Sequence, residues 1–337
     1  MSTVGLRSAV ATLPLLALAI GAPGAAHAGG QGPAAAPAGP AAAGERQAAP
    51  RVGLLAGPGS SRTTVLADRS TSGTAAATTA AGARFTVTYS GFTPAARIAF
   101  QRAVDVWAGA LQSNVPITVR ASFTPLERGV LGSAGASGIY KNFPGAPAKD
   151  TWYVDAIANN RAGRQVAASP DIVAEFNSDF GNWHYGSAAA PRGTYDFTSV
   201  VLHELGHGLG FLGAGRVADG VGSVRTSGLP ISYDRFTENY AGKALLAFPN
   251  RSSALRSELT GGRVYFDSPA VRSANDAKRA KLYAPSSWEP GSSYSHLDEA
   301  NYPAGSTNSL MTPVLRDGET VRVPGPLTKA IFRSIGW

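Results

Sequence analysis

Residues 200–215 read VVLHELGHGLGFLGAG. Apolar Val201, Leu205 and Leu209 recur at helical spacing, which predicts a helix with one face turned to a core. Asp196 or Thr198 can cap its start and Gly210 suits its end, so the helix is expected over residues 196–209. His203 and His207 stand four apart and project from one face. Two neutral imidazoles so placed can share a zinc ion, and a catalytic zinc takes three protein ligands and leaves a place for water. Glu204 sits on the adjoining flank, where it would take a proton from the activated water rather than bind the metal. The chain holds only five histidines in 337 residues, so H-E-x-x-H is poorly explained by chance. The plainer alternative is a core helix with two unrelated histidines.

Upstream of this helix the order is strand, long helix, then several strands. RFTVTYS (84–90) alternates apolar and polar residues, as a half-buried strand does. Thr93-Pro94 supplies a cap and a first helical position, and Phe100, Val104, Trp107 and Leu111 mark one face of a helix over 94–112. PITVRASF, WYVDAIAN and DIVAEFNS read as further strands. Downstream, residues 214–293 are rich in Gly, Ser and Asn, with short helical pieces such as FTENYAGKALLAF, and read as an insertion. PGPLTKAIFRSIGW predicts a closing helix that starts at Pro326 and stops at Gly336. The fold class expected is α+β, a twisted mixed sheet with a backing helix, the histidine helix and a C-terminal helix.

The N-terminal 28 residues have the pattern of a secretory signal peptide: Arg7, an apolar run from Ala9 to about Ile20, and Ala26-His27-Ala28 as the cleavage signal. Residues 29–83 are dominated by Ala, Gly, Pro, Ser and Thr and read as a disordered linker or propeptide. RVGLLAG and TTVLADR are the apolar patches in that region, remnants of an inhibitory pro-segment or nothing in particular. Cysteine is absent, so no disulfide staples the fold and the core must hold it. The net charge of +8 comes from scattered, mostly Arg residues without interleaved aromatics, which argues against nucleic-acid readout. No later run reaches membrane-spanning length. A secreted monomer acting on proteins or peptides is expected. Structural calcium is not predicted, since neither an EF-hand nor a nonapeptide pattern occurs.

HELGHGLGFLG (203–213) resembles the long zinc motif of the metzincin metallopeptidases, H-E-x-x-H-x-x-G-x-x-H, with His203, Glu204, His207 and Gly210 in place. NSLMTP, with Met311, is similar to the methionine turn beneath the zinc in that group, and a soft, flexible side chain suits that position. YDRFTENYAG, KLYAPSSW, YSHLDEANYP and IGW add to a resemblance to secreted bacterial proteins with a metzincin-like peptidase domain, covering about 84–337. The resemblance implies a secreted zinc metalloendopeptidase. It departs at Gly213, where the third histidine would fall.

With His27 set aside, the remaining histidines are His184 and His296. His296 lies fifteen residues before Met311 and is the leading candidate for the third ligand, with Asp298 and Glu299 beside it to orient the ring. Asp219, Asp234, Glu238 and His184 are the competitors. Tyr185, Tyr233 and Tyr294 read equally as oxyanion donors or packed aromatics. Two other functions compete with the peptidase: a secreted binding or adhesion protein on a degenerate peptidase scaffold, favoured by Gly213, and a zinc hydrolase of a non-peptide bond.

Overall fold

The computed structural model describes residues 44–50, 52–66, 82–166 and 170–337. The expected signal peptide lies outside them. Two strands come first, β1 (Glu45–Gln47) and β2 (Val52–Leu66). Both fall within the stretch expected to be a disordered linker or propeptide, and over these residues strand replaces disorder. Composition measures what a segment can bury alone; these segments borrow their hydrogen-bond partners from strands far along the chain.

β3 (Phe85–Ser90) leads into α1 (Pro94–Ala110), whose cap is Thr93, its hydroxyl accepting from the Ala96 N–H. Then come β4 (Ile117–Thr124), β5 (Val130–Ala136), β6 (Ile139–Lys141) and β7 (Tyr153–Val154). WYVDAIAN, expected as one strand, is split: β7 is two residues long and α2 (Asp155–Ala162) follows, closed by left-handed Gly163. Asp155-Ala156-Ile157-Ala158 is as compatible with a buried helix turn as with a strand, and periodicity over so few residues does not separate them. β8 (Ile172–Asn177), β9 (Trp183–His184), β10 (Tyr195–Asp196) and α3 (Phe197–Gly208) complete the first half.

The 214–293 stretch holds a hairpin of β11 (Arg216–Ala218) and β12 (Val221–Ser223). It continues with β13 (Thr237–Asn239), α4 (Ser253–Leu259), β14 (Val264–Phe266), α5 (Pro269–Ala274) and β15 (Ala280–Lys281). FTENYAGKALLAF, expected to be helical, supplies β13 and only one 3-10 turn, Leu245–Ala247. β16 (Val314–Val321) and α6 (Gly325–Ile335) end the chain.

The fold is mixed α+β. Its main sheet has the order β16-β2-β5-β8-β4-β3. β3, β4 and β8 run parallel, β5 and then β2 alternate in direction, and β16 runs parallel to β2. Phe100, Phe176 and Phe197 fill the space between sheet and helices, with Phe100 and Phe197 set against Phe176 at centroid distances of 5.7 and 5.3 Å. α1 is fixed on α3 by the Trp107 indole N–H, which donates to the Leu202 carbonyl at 2.9 Å. The Trp337 indole N–H does the same to Leu209 at 2.8 Å, tying the chain end to the end of α3. Among the described residues no helix is long and apolar enough to cross a membrane.

Candidate metal centre

α3 is buried along its whole length. Asp196 caps it, one carboxylate oxygen accepting from both the Ser199 N–H and hydroxyl, while Arg322 approaches the other oxygen at 2.6 Å. Val200, Val201, Leu205 and Leu209 are fully covered by core. That anchoring fixes the direction in which His203 and His207 point. His296 comes from the loop that follows β15, and the fold brings it to the same place.

The three Nε2 atoms form a triangle: 2.9 Å between His203 and His207, 3.2 Å between His203 and His296, and 3.1 Å between His207 and His296. Each Nδ1 faces a backbone carbonyl, Leu310 at 2.6 Å for His203, Phe211 at 2.7 Å for His207 and Ser292 at 2.7 Å for His296. A carbonyl oxygen only accepts, so each Nδ1 carries the hydrogen and each neutral ring presents a bare lone pair at Nε2. Burial keeps the rings neutral. It pushes His203 down to about 4 against the pull of the Leu310 carbonyl, and it holds His207 and His296 well below the usual range, reinforced by the neighbouring histidines. Three lone pairs thus converge with no hydrogen between them, an arrangement that a cation relieves. Tetrahedral coordination at zinc–nitrogen distances near 2.0–2.1 Å spaces its donors by about 3.3 Å, so the triangle has nearly the required size. The group could hold a metal ion, and among the described residues it is the one cluster of three such side chains.

The competitors for the third position are placed elsewhere. Asp234 is buried beyond Gly213 and accepts from the Tyr294 hydroxyl at 2.8 Å, from the Ile231 N–H at 2.7 Å and from the Ala214 N–H at 2.9 Å. Glu238 pairs with Arg279 at 2.7 Å, and Asp219 is exposed on the β11–β12 turn. The His184 Nε2 lies 3.1 Å from the Ala188 carbonyl. Tyr233 and Tyr294 are packed aromatics, with ring centroids 5.8 Å apart, and Tyr185 packs on Phe197 at 5.3 Å. Asp298 and Glu299, expected to orient His296, instead pair with Lys281 and Arg316 at 3.8 Å each. The Ser292 carbonyl orients the ring.

Met311 is buried in the 3-10 turn Ser309–Met311, packed against Gly206 between the two helix histidines. The same turn offers the Leu310 carbonyl to His203, and the Met311 carbonyl accepts from the Leu297 N–H at 2.8 Å, next to His296. One short turn therefore braces ligands from both halves of the chain.

Glu204 lies against β5. Gly132 lets it approach: a Cβ there would stand 3.3 Å from the Glu204 Cγ and 3.1 Å from the Phe176 ring. Its Oε1 accepts from the Leu54 N–H at 3.1 Å, and Oε2 has no partner. Burial pushes the carboxyl well above its usual range, opposed by the N–H groups of Leu54 and Ala134. Nothing in the sequence marks β5 as a strand or links Leu54 to Glu204. VLGSAGA has too few large apolar residues to read as a strand, but RVGLLAG stood out as an apolar patch in polar surroundings.

No family model matches the chain, and neither a curated protein nor a solved structure matches it.

Proposed function

We propose that the chain is a secreted zinc-dependent metalloendopeptidase with a metzincin-like domain over residues 84–337. The observation that carries this reading is the convergence of three hydrogen-free Nε2 atoms from His203, His207 and His296, with the buried Glu204 next to His203 on the same helix. Nitrogen donors in a small tetrahedral triangle suit zinc among the divalent ions. When bound there, zinc would polarise a substrate carbonyl and make water acidic enough to lose a proton near neutral pH. The chain's own residues do the rest. Glu204 is the proton carrier, and its burial makes it hold a proton readily. The Nδ1–carbonyl bonds fix each imidazole in the ligating tautomer, so no reorganisation is required of the site. Met311 and Gly206 pack the space beneath the two helix histidines without introducing a competing hydrogen-bond donor. The N-terminal signal pattern supports export.

The test separates chemistry from metal binding. Glu204→Ala should lose proteolysis of casein by at least about a hundredfold while retaining one zinc per chain, because the carboxylate is not a ligand. Casein digestion by that variant at the unsubstituted rate would remove the assignment, and digestion of an ester but not casein by the unsubstituted chain would move the reading to another hydrolase.

A further inference from the structure

A second concave surface lies among α5, β14, β15 and the loop at Asn301 and Tyr302. It is a groove of about 560 Å³ that shares no lining residue with the histidine centre, and its size is that of a small-ligand cleft. Four of its lining side chains are cations, Arg272, Lys278, Arg279 and Lys281, and none is a carboxylate. Basic residues that look scattered along the chain are gathered here on one face.

Three of the four cations are braced from behind. Asp267 accepts from Nε and Nη2 of Arg272 at 2.7 Å each, Glu238 accepts from Nη1 of Arg279 at 2.7 Å, and Asp298 stands 3.8 Å from Nζ of Lys281. These carboxylates lie outside the lining, with side chains only 15 to 19 % exposed, so they orient the cations without occupying the groove. Asp276, on the turn after α5, is exposed and does not line it. Lys278 is exposed and has no ion pair among the described residues. An anion that enters therefore meets one uncompensated charge and three pre-oriented ones.

The rest of the lining selects among anions. Ala277 is its one aliphatic residue, so it has little to hold an apolar side chain. β15 offers no open edge to an extended peptide: β14 pairs with it on one side, and on the other the Asp298 N–H donates to the Lys281 carbonyl at 3.1 Å. The Tyr265 ring carries the Arg279 guanidinium 4.2 Å from its centroid, and neighbouring Tyr240 carries Arg263 at 5.2 Å. One face of each ring is thus taken, which disfavours the base stacking that single-stranded nucleic acid uses. The Asn301 amide and the Tyr265 hydroxyl border the groove and have no hydrogen-bond partner among the described residues. Cations interleaved with neutral amides and phenols match a chain in which carboxylates alternate with hydroxyls.

We propose that this groove binds an acidic oligosaccharide, a chain of uronate residues, whose carboxylates meet the four cations and whose ring hydroxyls meet Asn301 and Tyr265. The site is independent of the peptidase reading and would dock the protein on a polyanionic glycan.

Fluorescein-labelled hexagalacturonate is titrated with the full chain at low ionic strength, and anisotropy is read. The sugar should bind, and more weakly as salt rises. Unlabelled hexagalacturonate should displace it, whereas maltohexaose, hexaglutamate and a short single-stranded DNA should not. Lys278→Glu should weaken binding about tenfold or more, the value of a charge-assisted contact. Arg128→Glu makes the same charge change on the exposed loop between β4 and β5 and should alter binding by less than about twofold. Absence of binding, or equal losses in the two variants, overturns the proposal. Displacement by maltohexaose, hexaglutamate or DNA as effective as by hexagalacturonate also overturns it. Should Lys278→Glu fail to fold by circular dichroism, Lys278→Gln should weaken binding about threefold, and unchanged binding there is equally fatal.

Discussion

Gly213 and Tyr294 occupy one another's space. A methyl group at Gly213 would run into Cε1 of the Tyr294 ring and stand 2.6 Å from Oδ1 of Asp234, the oxygen that accepts from the Tyr294 hydroxyl. The position where the longer zinc motif has its third histidine is thus filled from the other side, by an aromatic ring anchored on a buried carboxylate. Gly213→Ala should lower the unfolding free energy by about 1–3 kcal/mol, as overpacking a closed core does. Urea unfolding midpoints give the comparison. Gly213→His should be less stable still and gain no affinity for zinc, since its ring has nowhere to go; a variant that folds normally and binds zinc more tightly would contradict this packing.

His296 supplies one corner of the Nε2 triangle, and among the described residues no carboxylate joins that cluster. His296→Ala should weaken zinc binding by at least about a hundredfold, more than the loss of an outer partner costs. Metal content after equilibrium dialysis is the measurement. Asp234→Asn, which keeps the shape of the Tyr294 anchor, should leave zinc content unchanged. If Asp234→Asn loses the metal and His296→Ala keeps it, the ligand set is wrong.

Asp155 gives a pH signature of its own. Burial raises its carboxyl from 3.8 to about 7, partly offset by Arg46 at 3.7 Å and increased by Asp171. Between these values the folded chain keeps a proton that the unfolded chain has released, so stability falls as pH rises from about 4 to about 7 and the cost is complete above that. Asp155→Asn should therefore raise the melting temperature more at about pH 8 than at about pH 5. The gain at high pH is bounded by ~4 kcal/mol, at roughly 1.4 kcal/mol per pKa unit. An equal gain at both pH values would mean that the carboxyl titrates normally in the folded protein.

Much of this could be read before the structure was known, and the limits are physical. α1, α3 and α6 carry their own evidence in apolar periodicity and end signals, and β3, β4 and β8 in their aliphatic runs. β5 does not, because its Gly132 is there to admit Glu204 and Phe176, so its residues answer to neighbours on another element. β2 fails to announce itself for a related reason: its pairing partners are provided by the folded domain. His296 was reachable by counting histidines. The carbonyl that orients it was not, since every residue carries one and only geometry selects Ser292.

The three carbonyls that hold the histidine rings come from separate places: Phe211 just beyond α3, Ser292 late in the 214–293 stretch, and Leu310 in the turn before β16. A partly folded chain can present the helix pair, but the third nitrogen and two of the three tautomer-fixing contacts arrive only when the last quarter of the sequence has docked. Tight metal uptake would then be a late event in assembly, and its free energy would fall on the finished protein alone. In a chain without disulfides, such an ion would act as a clasp that draws distant segments together once each has found its place.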